Sequence, residues 1–161
     1  MVGNWTTFFE AQTAAFAALT GLVFVALSIN LRTVLDLPGA SGRAGEALIR
    51  LVMPVALGLT GLIGHQSSRV LGIEWAVIGL IGWIAVGAIL VRGRQAMEHR
   101  SGREISIRVV GVQTATLLAL AAGVTLMVGS DDGLYVQAGA VIACLFIGIL
   151  DAWVLLVEIV R

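Results

Sequence analysis

Five mostly apolar runs follow one another along this chain, joined by short polar connections. They cover about Phe8 to Leu31, Ala47 to Gly64, Ile73 to Val91, Val109 to Val128 and Val136 to Val157. A helix crossing a bilayer needs about 20 such residues, so each run is a candidate span. The expected fold class is an all-α integral membrane protein, a bundle of about five transmembrane helices forming one domain over residues 1–161. Short connections make neighbours in sequence antiparallel neighbours in space. Composition supports lipid as the solvent: 58% of the residues are hydrophobic and 12% charged, against about 45–50% and about 25% in soluble domains. A soluble fold of this size could not hide that much apolar surface.

Orientation follows from arginine, because the ten basic residues are all Arg. Arg92, Arg94, Arg100, Arg103 and Arg108 crowd one connection, which the positive-inside rule assigns to the cytoplasm. Five spans then also place Arg32, Arg43, Arg50 and Arg161 inside and leave Arg69 outside, with the N-terminus external and the C-terminus cytoplasmic. The second run is the least regular, since Arg50 and Pro54 sit near its start. Without it as a span, Arg32, Arg43, Arg50 and Arg69 would face outward, so the five-span arrangement obeys the rule better. Trp5, Phe8, Phe9, Trp75 and Tyr135 are expected at the outer interface as an aromatic belt, Trp153 towards the inner one, and Trp83 inside the bundle.

Net charge is zero, which gives no case for nucleic acid as a partner. Cys144 is the single cysteine, so an intrachain disulfide and a multi-cysteine metal site are both excluded. No Lys or Arg precedes Arg32. The charged segment of a signal peptide is therefore missing, and the first apolar run is expected to be retained.

Small side chains let helices approach closely in lipid. Gly111, Ala115, Ala119 and Gly123 recur every four residues and form a ridge on the fourth run. It serves either packing within one bundle or a contact between copies of the chain, and a homo-oligomer is expected from so thin a bundle. The first run carries Ala14, Ala17, Ala18 and Gly21, again expected to pack inside.

The most informative polar pattern is Gln137, Cys144, Asp151 and Glu158, spaced by seven along the fifth run. Seven residues are nearly two helical turns, so the four share one slowly drifting face. An ionised carboxylate facing lipid costs a few kcal/mol or more, roughly 3 by insertion scales. Asp151 must therefore face protein or water, or be protonated. It either lines a polar path or forms an ion pair with Arg50, for which Glu46 competes from four residues away. Pro54 lacks the N–H that would bond the Arg50 carbonyl, and a kink is expected there. Glu10, Thr13, Thr20 and Ser28 share a rough face of the first run, with Asn30 placed to cap its end.

Glu10, His65 and Glu74 are expected at the outer ends of three helices. Together they would bind a divalent cation or respond to pH. Their spacing matches no metal motif, so separate interfacial residues are the other reading. No nucleophile–base constellation, phosphate loop or zinc-protease sequence is present, and the chain is expected to be no enzyme, with no catalytic residue, cofactor or bound metal.

The stretch Trp5-Thr6-Thr7-Phe8-Phe9, followed by Ala17-Ala18-Leu19-Thr20-Gly21-Leu22-Val23-Phe24-Val25-Ala26-Leu27-Ser28-Ile29-Asn30, resembles small multi-spanning actinobacterial membrane proteins. Some of these are labelled modulators of a membrane-bound AAA protease. The likeness covers about the first thirty residues. It implies a bacterial plasma-membrane location and, as partner, another membrane protein; it transfers no site residue. Two functions are therefore expected: a channel or transporter for a small ion or solute, homo-oligomeric, or a non-transporting subunit that modulates another membrane complex.

Overall fold

Apolar chain in lipid must satisfy its backbone internally, which leaves the helix as the natural element. The computed structural model describes residues 5–37, 39–93 and 102–160. The side chains of residues 102–112, and of 151–160 apart from Trp153, lie outside the described residues. Every regular element described is a helix: α1 (Thr6–Ile29), α2 (Leu31–Asp36), α3 (Ala40–Gly61), α4 (Ser68–Arg92), α5 (Gly102–Met127) and α6 (Asp132–Val160). Helices α1, α3 and α4, and α6 over Asp132–Leu150, are long and apolar enough to cross a membrane. The described part of α5, Gln113–Met127, is apolar as well. The lateral surface carries large apolar side chains such as Leu22, Phe24, Ile84, Phe146 and Leu150, all exposed. A bilayer would cover them.

Local chemistry sets the helix ends. At Asn30 the side-chain Nδ2 donates to the Ala26 carbonyl at 2.9 Å, closing α1 before the short helix α2 begins. Gly39 adopts φ 78°, the left-handed region open to glycine, and α3 starts directly after it. Helix α3 therefore begins seven residues before the apolar run that announces it, and Arg43, Glu46 and Arg50 all lie on it. The Ser67 hydroxyl caps α4 by accepting from the Val70 N–H at 3.3 Å. Pro54 stands inside α3, which continues to Gly61.

Three apolar clusters follow the bundle axis. The first, towards the N-terminus of α1, joins Phe9, Met53, Leu57, Leu71, Trp75, Ala119, Ala122, Leu126 and Leu134. The second joins Phe16, Leu51, Ala115, Val141 and Cys144. The third joins Leu27, Val34, Ala40 and Ala44. Their membership fixes direction: α1 and α6 run the same way in matched register, while α3 and α5 run opposite.

Several expectations need correcting. Phe9 and Trp75 do not face lipid as a belt would: they are 1% and 0% exposed. Trp75 Nε1 donates to the Leu57 carbonyl and to Thr60 Oγ1, both at 3.1 Å, and the two rings meet edge to face with centroids 5.9 Å apart. A buried indole needs such a partner, and α3 supplies it. Trp83, expected inside, is exposed instead. Trp5 does meet Tyr135 and Phe8 edge to face, at 5.0 and 5.6 Å.

From Ala115 to Gly123 the small ridge of α5 packs inside the bundle, the first of its two expected roles. Ala115 and Ala119 are buried, and a Cβ on Gly123 would meet the Gly72 carbonyl oxygen at 2.6 Å. Helices α4 and α5 thus pack backbone to backbone, the most extensive pairing of the bundle. Gly111 falls outside the described side chains. On α1 the opposite holds: Ala14, Ala17, Ala18 and Gly21 face outward, because Phe9, Gln12 and Phe16 occupy the inward face.

Candidate functional site

Between the first two clusters each of four helices contributes a polar group. On α1 it is Gln12, between Phe9 and Phe16; on α6 it is Gln137, between Leu134 and Val141. On α3 it is the Pro54 carbonyl, between Leu57 and Leu51, and on α5 it is Thr116, between Ala119 and Ala115. Two contacts lie at this level. Gln12 Nε2 donates to the Pro54 carbonyl at 2.6 Å. A Cβ on Gly82 would touch Met53 Sδ at 3.0 Å and the Thr116 methyl at 3.4 Å. Close approach of α1 to α3 depends on Gly58, where a Cβ would press on Thr13 Oγ1 and come within 3.2 Å of the Phe9 carbonyl oxygen.

This amide layer is under-satisfied. Gln137 is 0% exposed, and neither its Nε2 nor its Oε1 has a hydrogen-bond partner. Gln12 Oε1 and Thr13 Oγ1 are likewise buried and unpaired. Each such group costs about 1–3 kcal/mol. Thr116 is satisfied by the Gln113 carbonyl at 2.9 Å.

One turn further, about 6 Å along α3 by helical rise, lies a charged layer. Glu46 and Arg50 are both 3% exposed. They sit four residues apart, so they are neighbours on one helix face, and Arg43 joins them three residues before Glu46. Arg50 is near enough to Cys144 to act on it electrostatically. Gly148 of α6 packs on Leu51, where a Cβ would come within 3.0 Å of a Leu51 methyl.

No protein-family model, curated protein or solved structure matches the chain.

The heptad-spaced face of α6 turns inward at Gln137 and at Cys144, which is 1% exposed. Asp151 and Glu158 lie outside the described side chains, and so does the proposed pairing of Asp151 with Arg50. At the other end, Glu10 and His65 are exposed, while half-buried Glu74 accepts a hydrogen bond from Gln66 Nε2 at 2.7 Å. These three do not form a group able to hold a metal ion, and no other His, Cys, Asp and Glu do so among the described residues. His65 has φ 62°, in the left-handed region that non-glycine residues rarely adopt.

The polar face expected on α1 divides: Thr13 turns its hydroxyl inward, whereas Glu10 and Ser28 are exposed. Thr20 and Ser28 donate to carbonyls of their own helix, Phe16 at 2.7 Å and Phe24 at 2.8 Å. A hydroxyl so satisfied can face lipid. Gln12 instead turns inward and donates to the Pro54 carbonyl of α3. The available signal was its place midway between two phenylalanines seven residues apart.

Proposed function

We propose that this protein carries a small polar species across the membrane through an occluded site at the amide layer. The observation that supports it is Gln137, wholly buried in a membrane bundle with both amide atoms unpaired. Polar groups inside membranes are expensive and mark pathways and sites. Apolar clusters close the layer on both sides, as expected of a carrier at rest with its site near midplane. Five spans are assigned, with the arginine-rich connection cytoplasmic. Proteoliposomes of the purified chain should pass at least one member of a panel of water, urea, K⁺, Cl⁻ and H⁺ faster than protein-free vesicles. Native-like protein passing none of them would overturn the transport reading.

The orientation has its own test. With Cys144 replaced, cysteines at Thr6 and Asp132 should react with an impermeant thiol reagent outside the cell. One at Ser101 should not, and external labelling there would reverse the assignment.

A second reading is favoured by the outward small face of α1. Ala14, Ala17, Ala18 and Gly21 are exposed, and nothing lies within 4 Å of a Cβ placed on Gly21. Such a face suits close contact with another helix, from a second copy or from a different membrane protein. Ala18→Leu should then lower the particle mass in mild detergent without lowering the melting temperature. An unchanged mass with an intact fold would remove this face as an assembly surface.

A further inference from the structure

The unpaired atoms of the amide layer also constrain what passes. We infer that the cargo is a small neutral molecule that both donates and accepts hydrogen bonds, such as water or a primary amide of the size of urea. The inference rests on the transport reading above.

Three oxygens are open there: Gln12 Oε1, Gln137 Oε1 and Thr13 Oγ1. One amide donor, Gln137 Nε2, is open at the same level on α6. The hydroxyl of Thr13 can serve in either sense. Gln12 is oriented, since its Nε2 is fixed on the Pro54 carbonyl and its oxygen is therefore the end left for a ligand. A cargo that fits must donate at least twice and accept at least once.

Ions match this set poorly. A dehydrated cation needs charge or many oxygens around it, and the side chains described at this level are amides, hydroxyls and apolar groups. The nearest charged side chains along α3 are Arg50, one turn away, and Glu46, a turn beyond it. The guanidinium, as the closer of the two, opposes a cation in the layer. An anion would meet more acceptors than donors. A neutral donor–acceptor molecule leaves nothing unpaired and brings no charge into the bilayer.

The experiment compares Gln137→Met with the wild type in proteoliposomes. Methionine keeps the length and volume and removes both amide atoms. Permeability to water and to urea is read by light scattering after an osmotic step, and K⁺ and Cl⁻ flux with entrapped dyes. Wild type should pass water or urea, or both, and exclude both ions. Water alone would assign the cargo as water, and urea with water a site wide enough for an amide. Gln137→Met should slow that flux at least about tenfold, the worth of one of the two hydrogen bonds it removes from the cargo. Its melting temperature should stay level or rise, because an unsatisfied buried amide has been replaced by an apolar group. A purely structural glutamine would instead lose stability and leave flux per folded molecule unchanged, and that result overturns the inference. Ion flux in the wild type with no neutral flux also overturns it while leaving the transport reading in place. If Gln137→Met does not fold, Gln12→Met is measured in the same way, with the same tenfold loss expected.

Discussion

Replacing Gly123 by alanine should lower the melting temperature of the detergent-solubilised protein by several degrees. The added Cβ would meet the Gly72 carbonyl oxygen at 2.6 Å and the Ala76 Cα at 2.9 Å. These are backbone atoms of α4, so no rotamer change relieves the clash and the two helices must separate. From the other side, a Cβ on Gly72 would meet the Gly123 carbonyl oxygen at 2.7 Å, and one on Gly79 the Leu120 nitrogen at 2.7 Å. Overpacking costs about 1–3 kcal/mol, occasionally more. The helix preference of alanine returns up to about 1 kcal/mol. For a chain of this size each net kcal/mol moves the midpoint by about 2–4 °C. Gly139→Ala is the control, because nothing lies within 4 Å of its Cβ position. That variant should match or exceed the wild type. Equal midpoints for Gly123→Ala and the wild type would show that α4 and α5 are not held backbone to backbone.

This contact shows which part of the fold was legible. The spacing of Gly111, Ala115, Ala119 and Gly123 marks a surface made for close approach, and from Ala115 to Gly123 it is one. Spacing alone does not say what approaches. The partner surface, Gly72, Gly79 and Gly82 on α4, is spaced by seven and then three, and no simple ridge in the sequence announces it. The small residues of α1 read the same way in sequence and face outward. In lipid both faces of a helix are apolar, so the polarity contrast that orients a helix in water is missing. Leu19-Thr20-Gly21-Leu22 and Leu59-Thr60-Gly61-Leu62 make the point. Gly21 is exposed, whereas a Cβ on Gly61 would press on the Phe9 ring at 2.7 Å.

For the site, the inward turn of Gln137 and Cys144 was legible in their seven-residue spacing, which sets them on one face of α6. The face predicted on α1 was mixed: Thr13 Oγ1 is buried, whereas Thr20 and Ser28 donate to carbonyls of their own helix. Burial of Glu46 and Arg50 was partly hidden, since the polar start of α3 reads as a connection. Leu37 closes α2 and Gly39 turns the chain into α3, so α3 begins early and carries its charges into the bundle.

Those charges give the second large effect. Glu46→Gln should destabilise the protein by about 3–5 kcal/mol, the cost of leaving a buried charge uncompensated. Glu46 stands three residues after Arg43 and four before Arg50, so its carboxylate is the one acid on a helix face shared with two arginines. Arginine keeps its proton at any working pH, and Arg50 is only 3% exposed. Neutralising Glu46 therefore leaves positive charge in a medium of low dielectric. Arg50→Gln made in the Glu46→Gln background should recover part of the loss, with a coupling of about 0.5–3 kcal/mol in the double-mutant cycle. The same substitution in the wild-type background should itself destabilise, because the carboxylate then loses its deeper partner. Unfolding midpoints of the four proteins in one detergent supply the cycle. Additive losses would mean that Glu46 and Arg50 are stabilised separately, each by groups on other helices, and would dissolve the charged layer as a unit. Recovery in the double variant would instead show that the two charges are kept in the bundle by one another.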